Sequence, residues 1–100
     1  MKFDHVALKS NNIKRSVKWY KDNLRNVEVI YEDETWAAIK AHGIMIAFVM
    51  PHQHPPHVCF SINDNNKNNF KDKKFKKHRD GTEFCYISDP DGNTIEFLIR

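Results

Sequence analysis

In this 100-residue chain, His5, His57 and Glu96 are the side chains whose types suit joint chemistry. Two neutral imidazoles and a carboxylate favour a divalent first-row metal, and three protein donors leave positions open for water or a substrate oxygen. The three lie far apart in sequence, so only strands converging on one face bring them together. Strand parity supports that convergence, because alternate residues point to opposite faces. In Phe3-Asp4-His5-Val6-Ala7-Leu8, Val6 and Leu8 form the apolar face and His5 points the other way. In His57-Val58-Cys59-Phe60-Ser61-Ile62, Val58, Phe60 and Ile62 are the apolar set and His57 opposes them. In Thr94 to Ile99, Ile95, Phe97 and Ile99 take the core side and send Thr94, Glu96 and Leu98 to the other. A carboxylate in the middle of such a strand is expensive to bury without a compensating cation. Taken singly, a strand histidine is ordinarily structural and a strand glutamate ordinarily solvated. At equivalent places in a repeat, the three together point to a metal.

The elements that position them follow from pattern. After the first strand, Ser10, Asn11 and Asn12 offer N-cap side chains. Ile13, Val17, Tyr20 and Leu24 then recur at helical spacing, with Lys14, Arg15, Lys18 and Lys21 off that stripe, which predicts an amphipathic helix of about three turns. Val27–Tyr31, Trp36–Ala41 and Ile44–Met50 read as strands, with Glu32-Asp33-Glu34 and His42-Gly43 as turns. The order is β-α-β-β-β. Pro51 to Pro56 breaks it as a linker. His57–Ile62 then starts a second round, followed by a polar stretch from Asn63 to Lys77 with a weak helical tendency near Phe70. A marginal strand around Phe75, a strand from Thr82 to Ser88, the turn Asp89-Pro90-Asp91-Gly92 and the strand Thr94–Ile99 complete it. The duplication shows in residues too: His5-Val6-Ala7-Leu8 matches His57-Val58-Cys59-Phe60, and Ile46-Ala47-Phe48 matches Ile95-Glu96-Phe97. The expectation is one domain over 1–100, built of module one (1–50) and module two (55–100).

Composition excludes several classes. Forty per cent hydrophobic residues with only three glycines describe a globular chain, and no apolar run approaches the ~20 residues of a membrane span. A net charge of +3 is too mild to require nucleic acid. The basic run Lys67, Lys71, Lys73, Lys74, Lys76, Lys77, His78 and Arg79 reads as a solvated face, although it would suit an anionic substrate or a phosphate contact. Cys59 and Cys85 sit in strands without a Cys-x-x-Cys pattern and read as buried thiols of a cytoplasmic protein. The tract His52-Gln53-His54-Pro55-Pro56-His57 reads as linker plus strand start, and His42 and His78 as solvated. Trp36 and Tyr86 are candidates for lining a substrate pocket.

The stretches Phe3–Leu8, Ser16–Leu24, His57–Ser61 and Asp89-Pro90-Asp91-Gly92-Asn93-Thr94-Ile95-Glu96-Phe97 together resemble the vicinal oxygen chelate superfamily of glyoxalase I, methylmalonyl-CoA epimerase, fosfomycin-resistance thiol transferases, bleomycin-resistance proteins and extradiol dioxygenases. The last stretch is the most specific. The resemblance implies an α+β fold of paired βαβββ modules in a cupped mixed sheet around one divalent ion (Fe, Mn, Zn, Ni or Co), and it maps ligands onto His5, His57 and Glu96. Glyoxalase I-like members carry a further ligand in the last strand of the first module. The Ile46/Ile95 match puts Ala47 there, which cannot coordinate, so the site resembles the three-ligand members and Ala47 joins the candidate pocket lining. The Leu-Gly that commonly ends the family's first helix is Leu24-Arg25 here, with Asn26 available for a left-handed turn.

Two functional readings follow: a metal-dependent enzyme acting on a small oxygen-chelating substrate, or a metal-free protein that sequesters a small ligand, as bleomycin-resistance members do. A homodimer is expected, because a pair of short modules leaves sheet edges exposed. Neither a membrane nor a nucleic-acid partner is expected.

Overall fold

The computed structural model describes residues 1–63 and 74–99. The weak helical stretch read near Phe70, and Lys67, Lys71 and Lys73 of the basic run, lie outside the described residues. The chain divides into two compact units, His5–Pro56 and Met1–Asp4 with His57–Arg100.

The first unit holds most of β1 (Lys2–Lys9), then α1 (Ile13–Leu24), β2 (Val27–Glu32), β3 (Trp36–Ala41) and β4 (Ile44–Val49). β1 runs parallel to β4, with Ala7 opposite Ala47. β4 pairs antiparallel with β3, and β3 with β2. Helix α1 starts where the Asn12 side chain accepts from the Arg15 backbone N–H at 3.1 Å, occupying one of the donors a helix start leaves unpaired. Its stripe buries Ile13 and Val17 against Ala37, Ile39 and Phe48, with Tyr20 tilted onto the Phe48 ring at 4.7 Å. Phe48 is 1 % exposed, and burying such a side chain contributes about 1.5–3 kcal/mol.

The helix ends with two residues at positive φ, Arg25 (57°) and Asn26 (49°), so the left-handed turn expected of Asn26 also takes in Arg25. His42, expected to be solvated, is exposed, and its Nε2–H also donates to the Leu24 carbonyl at 2.8 Å. A ring N–H at a helix C-terminus pairs one of the last open carbonyls. His42 and Gly43 both have positive φ (53° and 81°), the primed two-residue turn that fits the twist of a hairpin.

β2 carries a bulge between Val29 and Tyr31. Val27 and Val29 pack on the helix side, while Tyr31 pairs with Ala38 and stacks on Trp36 (4.3 Å between centroids, 20° between planes). The extra residue reverses the alternation, which a reading of Val27–Tyr31 as one regular strand does not anticipate.

The second unit is β5 (His57–Ile62), β6 (Lys76–Lys77), β7 (Glu83–Ser88) and β8 (Thr94–Ile99). β5 runs parallel to β8, β8 antiparallel to β7, and β7 antiparallel to the short β6, which stands where a marginal strand was read around Phe75. Its apolar side joins Ile62, Cys85, Phe97 and Ile99 with Phe60, Phe75, Ile87 and Ile95. Met1–Asp4 belong to this unit, where the Phe3 ring meets Phe60 edge-on at 5.9 Å. The β7–β8 connection is closed by the Asp89 carboxylate, which accepts from the Asp91 and Asn93 backbone N–H groups, and by Gly92 at φ 87°. No helix among the described residues is long and apolar enough to cross a membrane.

Candidate metal centre

The two units repeat one strand arrangement. In the first, Ala7 of β1 lies opposite Ala47 of β4; in the second, Cys59 of β5 lies opposite Glu96 of β8. His5 stands two residues before Ala7, and His57 two before Cys59. Ala47 therefore holds in its unit the place that Glu96 holds in the other. It is buried beside Ala7 and Val49, and its methyl group offers no donor atom. Trp36 and Ala38 pair with Val49 and Ala47 across β3 and β4, so Trp36 lies on this same face, 41 % exposed and covered on one side by Tyr31. His5 is half-buried in β1.

The second unit brings Glu96, His57 and Tyr86 together. Glu96 is 2 % exposed. His57 Nε2 lies 3.1 Å from its Oε1, and His78 Nε2 lies 2.9 Å from its Oε2. The Cys59 thiol also bonds to the carboxylate. Burial pushes the Glu96 carboxyl up, but hydrogen bonds from His57, His78 and Cys59 outweigh burial and hold it down to about 2. Glu96 is thus a buried, ionised carboxylate, and each imidazole presents an N–H to it. The Tyr86 ring stands 5.4 Å from His57 and pairs across the sheet with Glu96. Burial, with the Glu96 charge beside it, pushes the Tyr86 phenol well above its ordinary value, so its oxygen keeps its proton.

His78 corrects the sequence reading most sharply. Read as solvated within the basic run, it lies flat on Phe84 (3.7 Å, 12°) and reaches the buried carboxylate. The signal available in sequence was the turn Asp80-Gly81-Thr82, which folds His78 back over β7: His78 N–H donates to the Thr82 carbonyl, and Gly81 N–H to the His78 carbonyl. Cys59, read only as a buried thiol, is a neighbour of the same charge. The depression lined by Asp80, Gly81, Thr82, Glu83 and Ile99 takes in none of these side chains.

No protein-family model and no curated sequence matches the chain. Solved structures do match. A glyoxalase/bleomycin resistance protein/dioxygenase superfamily member from Vibrio splendidus 12B01 aligns with a TM-score of 0.68 at 17 % identity, covering 96 % of this chain and 97 % of that one. The chain has the glyoxalase-type fold. A structure named NAD-dependent benzaldehyde dehydrogenase from Legionella pneumophila is equally similar (TM-score 0.68, 17 % identity, 94 % and 96 % covered). A variant of homoprotocatechuate 2,3-dioxygenase from B. fuscum, solved with HPCA, aligns at 0.62 and 18 % identity over 98 % of this chain but 33 % of its own. These names cover different chemistries. Within the glyoxalase fold, the reaction is therefore argued from the side chains.

The donor chemistry of the second unit fits a divalent ion. Two cis ligands at about 2.1 Å from one ion lie roughly 3 Å apart, and His57 Nε2 and Glu96 Oε1 are 3.1 Å apart. The carboxylate is already ionised, as a ligand must be. The imidazole needs only to carry its proton on Nδ1 to present a lone pair at Nε2.

Proposed function

We propose that this chain is a divalent-metal-dependent enzyme acting on a small substrate that offers chelating oxygens, with His5, His57 and Glu96 holding the ion. The observation that carries the reading is the ionised, 2 % exposed Glu96 with an imidazole nitrogen at 3.1 Å. The place of His5 in its strand supports it as the third donor: it stands two residues before Ala7 in β1, as His57 stands two before Cys59 in β5.

The bound ion supplies Lewis acidity and open positions for a substrate oxygen. The chain's own residues supply the rest. Glu96 brings the negative charge that balances the ion. Tyr86, its phenol held protonated, offers a hydrogen-bond donor beside His57. Ala47, small where the second unit has Glu96, leaves room on its face for substrate. Cys59 and Cys85, buried and in no disulfide, suit the proposed cytoplasmic setting, and a homodimer is the proposed assembly.

One observation favours the second reading, a metal-free protein that sequesters a small ligand. Every buried side-chain polar atom among the described residues has a hydrogen-bond partner, Glu96 included, so protein donors alone compensate its charge. Elemental analysis of untagged protein decides between the two. Stoichiometric Fe, Mn, Zn, Ni or Co in the parent, lost in His57→Ala, supports the enzyme; no stoichiometric metal in the parent supports sequestration.

A further inference from the structure

His78 is outside the ligand set read from the sequence, yet it is held as firmly as a working side chain. Its ring is stacked on Phe84, its backbone N–H is bonded to Thr82, and its carbonyl accepts from Gly81. The Asp80 carboxylate fixes that turn by accepting from both the N–H and the hydroxyl of Thr82. So oriented, His78 Nε2 meets Oε2 of Glu96, the oxygen that His57 does not use. An ionised carboxylate oxygen only accepts hydrogen bonds, so the His78 nitrogen facing it carries a proton. The side chain of His78 is 28 % exposed against 5 % for His57, a donor at the rim rather than at the centre.

We propose that His78 is a positioning residue for Glu96: its Nε2–H occupies Oε2 and leaves Oε1 turned toward His57 as the single oxygen offered to an ion. The inference rests on the metal reading above and goes beyond it, by saying how the carboxylate is presented and by which residue. The terminal torsion of a glutamate is broad, so nothing within the side chain selects one oxygen. A fixed partner on one oxygen makes that selection. Losing an outer partner of this kind typically weakens metal affinity by 10–100-fold.

The test is a cobalt(II) titration, followed by absorbance, of metal-free untagged parent, His78→Phe, His78→Gln and His57→Ala, with thermal midpoints of each measured in EDTA. His78→Phe keeps a ring for Phe84 and removes the N–H. It should bind cobalt roughly 10–100-fold more weakly than the parent and shift the ligand-field bands. His78→Gln restores an N–H donor and should recover most of the affinity and the parental spectrum, whereas His57→Ala should not bind. In parallel, the imidazole ¹⁵N shifts of the metal-free parent should report a proton on His78 Nε2. Parental affinity in His78→Phe overturns the proposal. So does a His78→Gln as weak as His78→Phe, which would make the imidazole itself a ligand, and so does a His78 protonated only on Nδ1. These results leave the metal reading standing. A parent with no saturable cobalt site removes both.

Discussion

Glu96→Gln in metal-free protein isolates what the carboxylate does for the fold. Glu96 is buried, and His57, His78 and Cys59 all donate to it. The amide keeps the volume but removes the charge and sets an NH₂ group against at least one ring N–H. Hydrogen bonds to a charged group are worth about 1.5–3 kcal/mol each, and a buried donor left unpaired costs about 1–3 kcal/mol. The electrostatic setting of the carboxyl leads to a similar magnitude. The carboxyl is held at about 2, below its ordinary 4.5, and at 1.36 kcal/mol per unit that gap is worth about 3 kcal/mol of preference for the ionised folded form. A folded value below the unfolded one gives a contribution present in full above pH 4.5 and lost as pH falls through about 2. Urea unfolding in EDTA, followed by circular dichroism, should therefore find Glu96→Gln less stable than the parent by about 2–3 kcal/mol at pH 5. The difference should shrink by roughly 2 kcal/mol by pH 3. Equal stability at pH 5, or a difference that grows toward pH 3, would refute the claim that these donors hold an ionised carboxylate.

Asn12→Ala removes the cap of α1 and should cost about 1 kcal/mol, a fall of roughly 4–8 °C in thermal midpoint, while Asn12→Ser should be nearly neutral. Phe48→Ala empties the middle of the first unit's core and should cost about 3–5 kcal/mol by urea unfolding. Asp89→Ala strips the β7–β8 turn of an acceptor for two backbone N–H groups, so amide exchange at Asp91 and Asn93 should speed up while β2 amides keep parental rates. Hydrogen bonds from Asn93 and Asp91 hold the Asp89 carboxyl below its ordinary value, so this turn should loosen at acid pH, where that carboxyl is protonated. Light scattering at micromolar concentration should report a dimer, and a monomer would remove that part of the proposal.

The strands were legible because their alternation is strong. Trp36–Ala41, His57–Ile62 and Thr94–Ile99 run over the very residues that the pattern marks. The parity that set Glu96 against Ile95, Phe97 and Ile99 is the parity observed: those three pack in the core and Glu96 meets the imidazoles on the other face. Equivalence of Ala47 with Glu96, inferred from the flanking Ile46/Ile95 and Phe48/Phe97 matches, reappears as equivalent register in the two units. What stayed hidden was decided by backbone turns rather than by periodicity. A single extra residue in β2 sends Tyr31 to the face of Trp36. The charged setting of Lys76, Lys77 and Arg79 masks His78, whose position depends on the turn that follows it. His42 was hidden for the same reason, since only the folded hairpin sets its ring against the end of α1.

The irregularity in β2 carries a consequence for the behaviour of the protein in solution. Among the described residues β2 is hydrogen-bonded on one side alone, and it displays Ile30 and Tyr31 to solvent. A straight strand of that composition would template fibril-like stacking of one copy upon another. The added twist at Val29/Tyr31, with exposed Glu28 and Glu32 on the same strand, spoils the straight ladder that such stacking needs. Deleting Ile30 to restore regular pairing would exchange that protection for a smooth, adhesive margin, and the protein should then precipitate from solution on concentration.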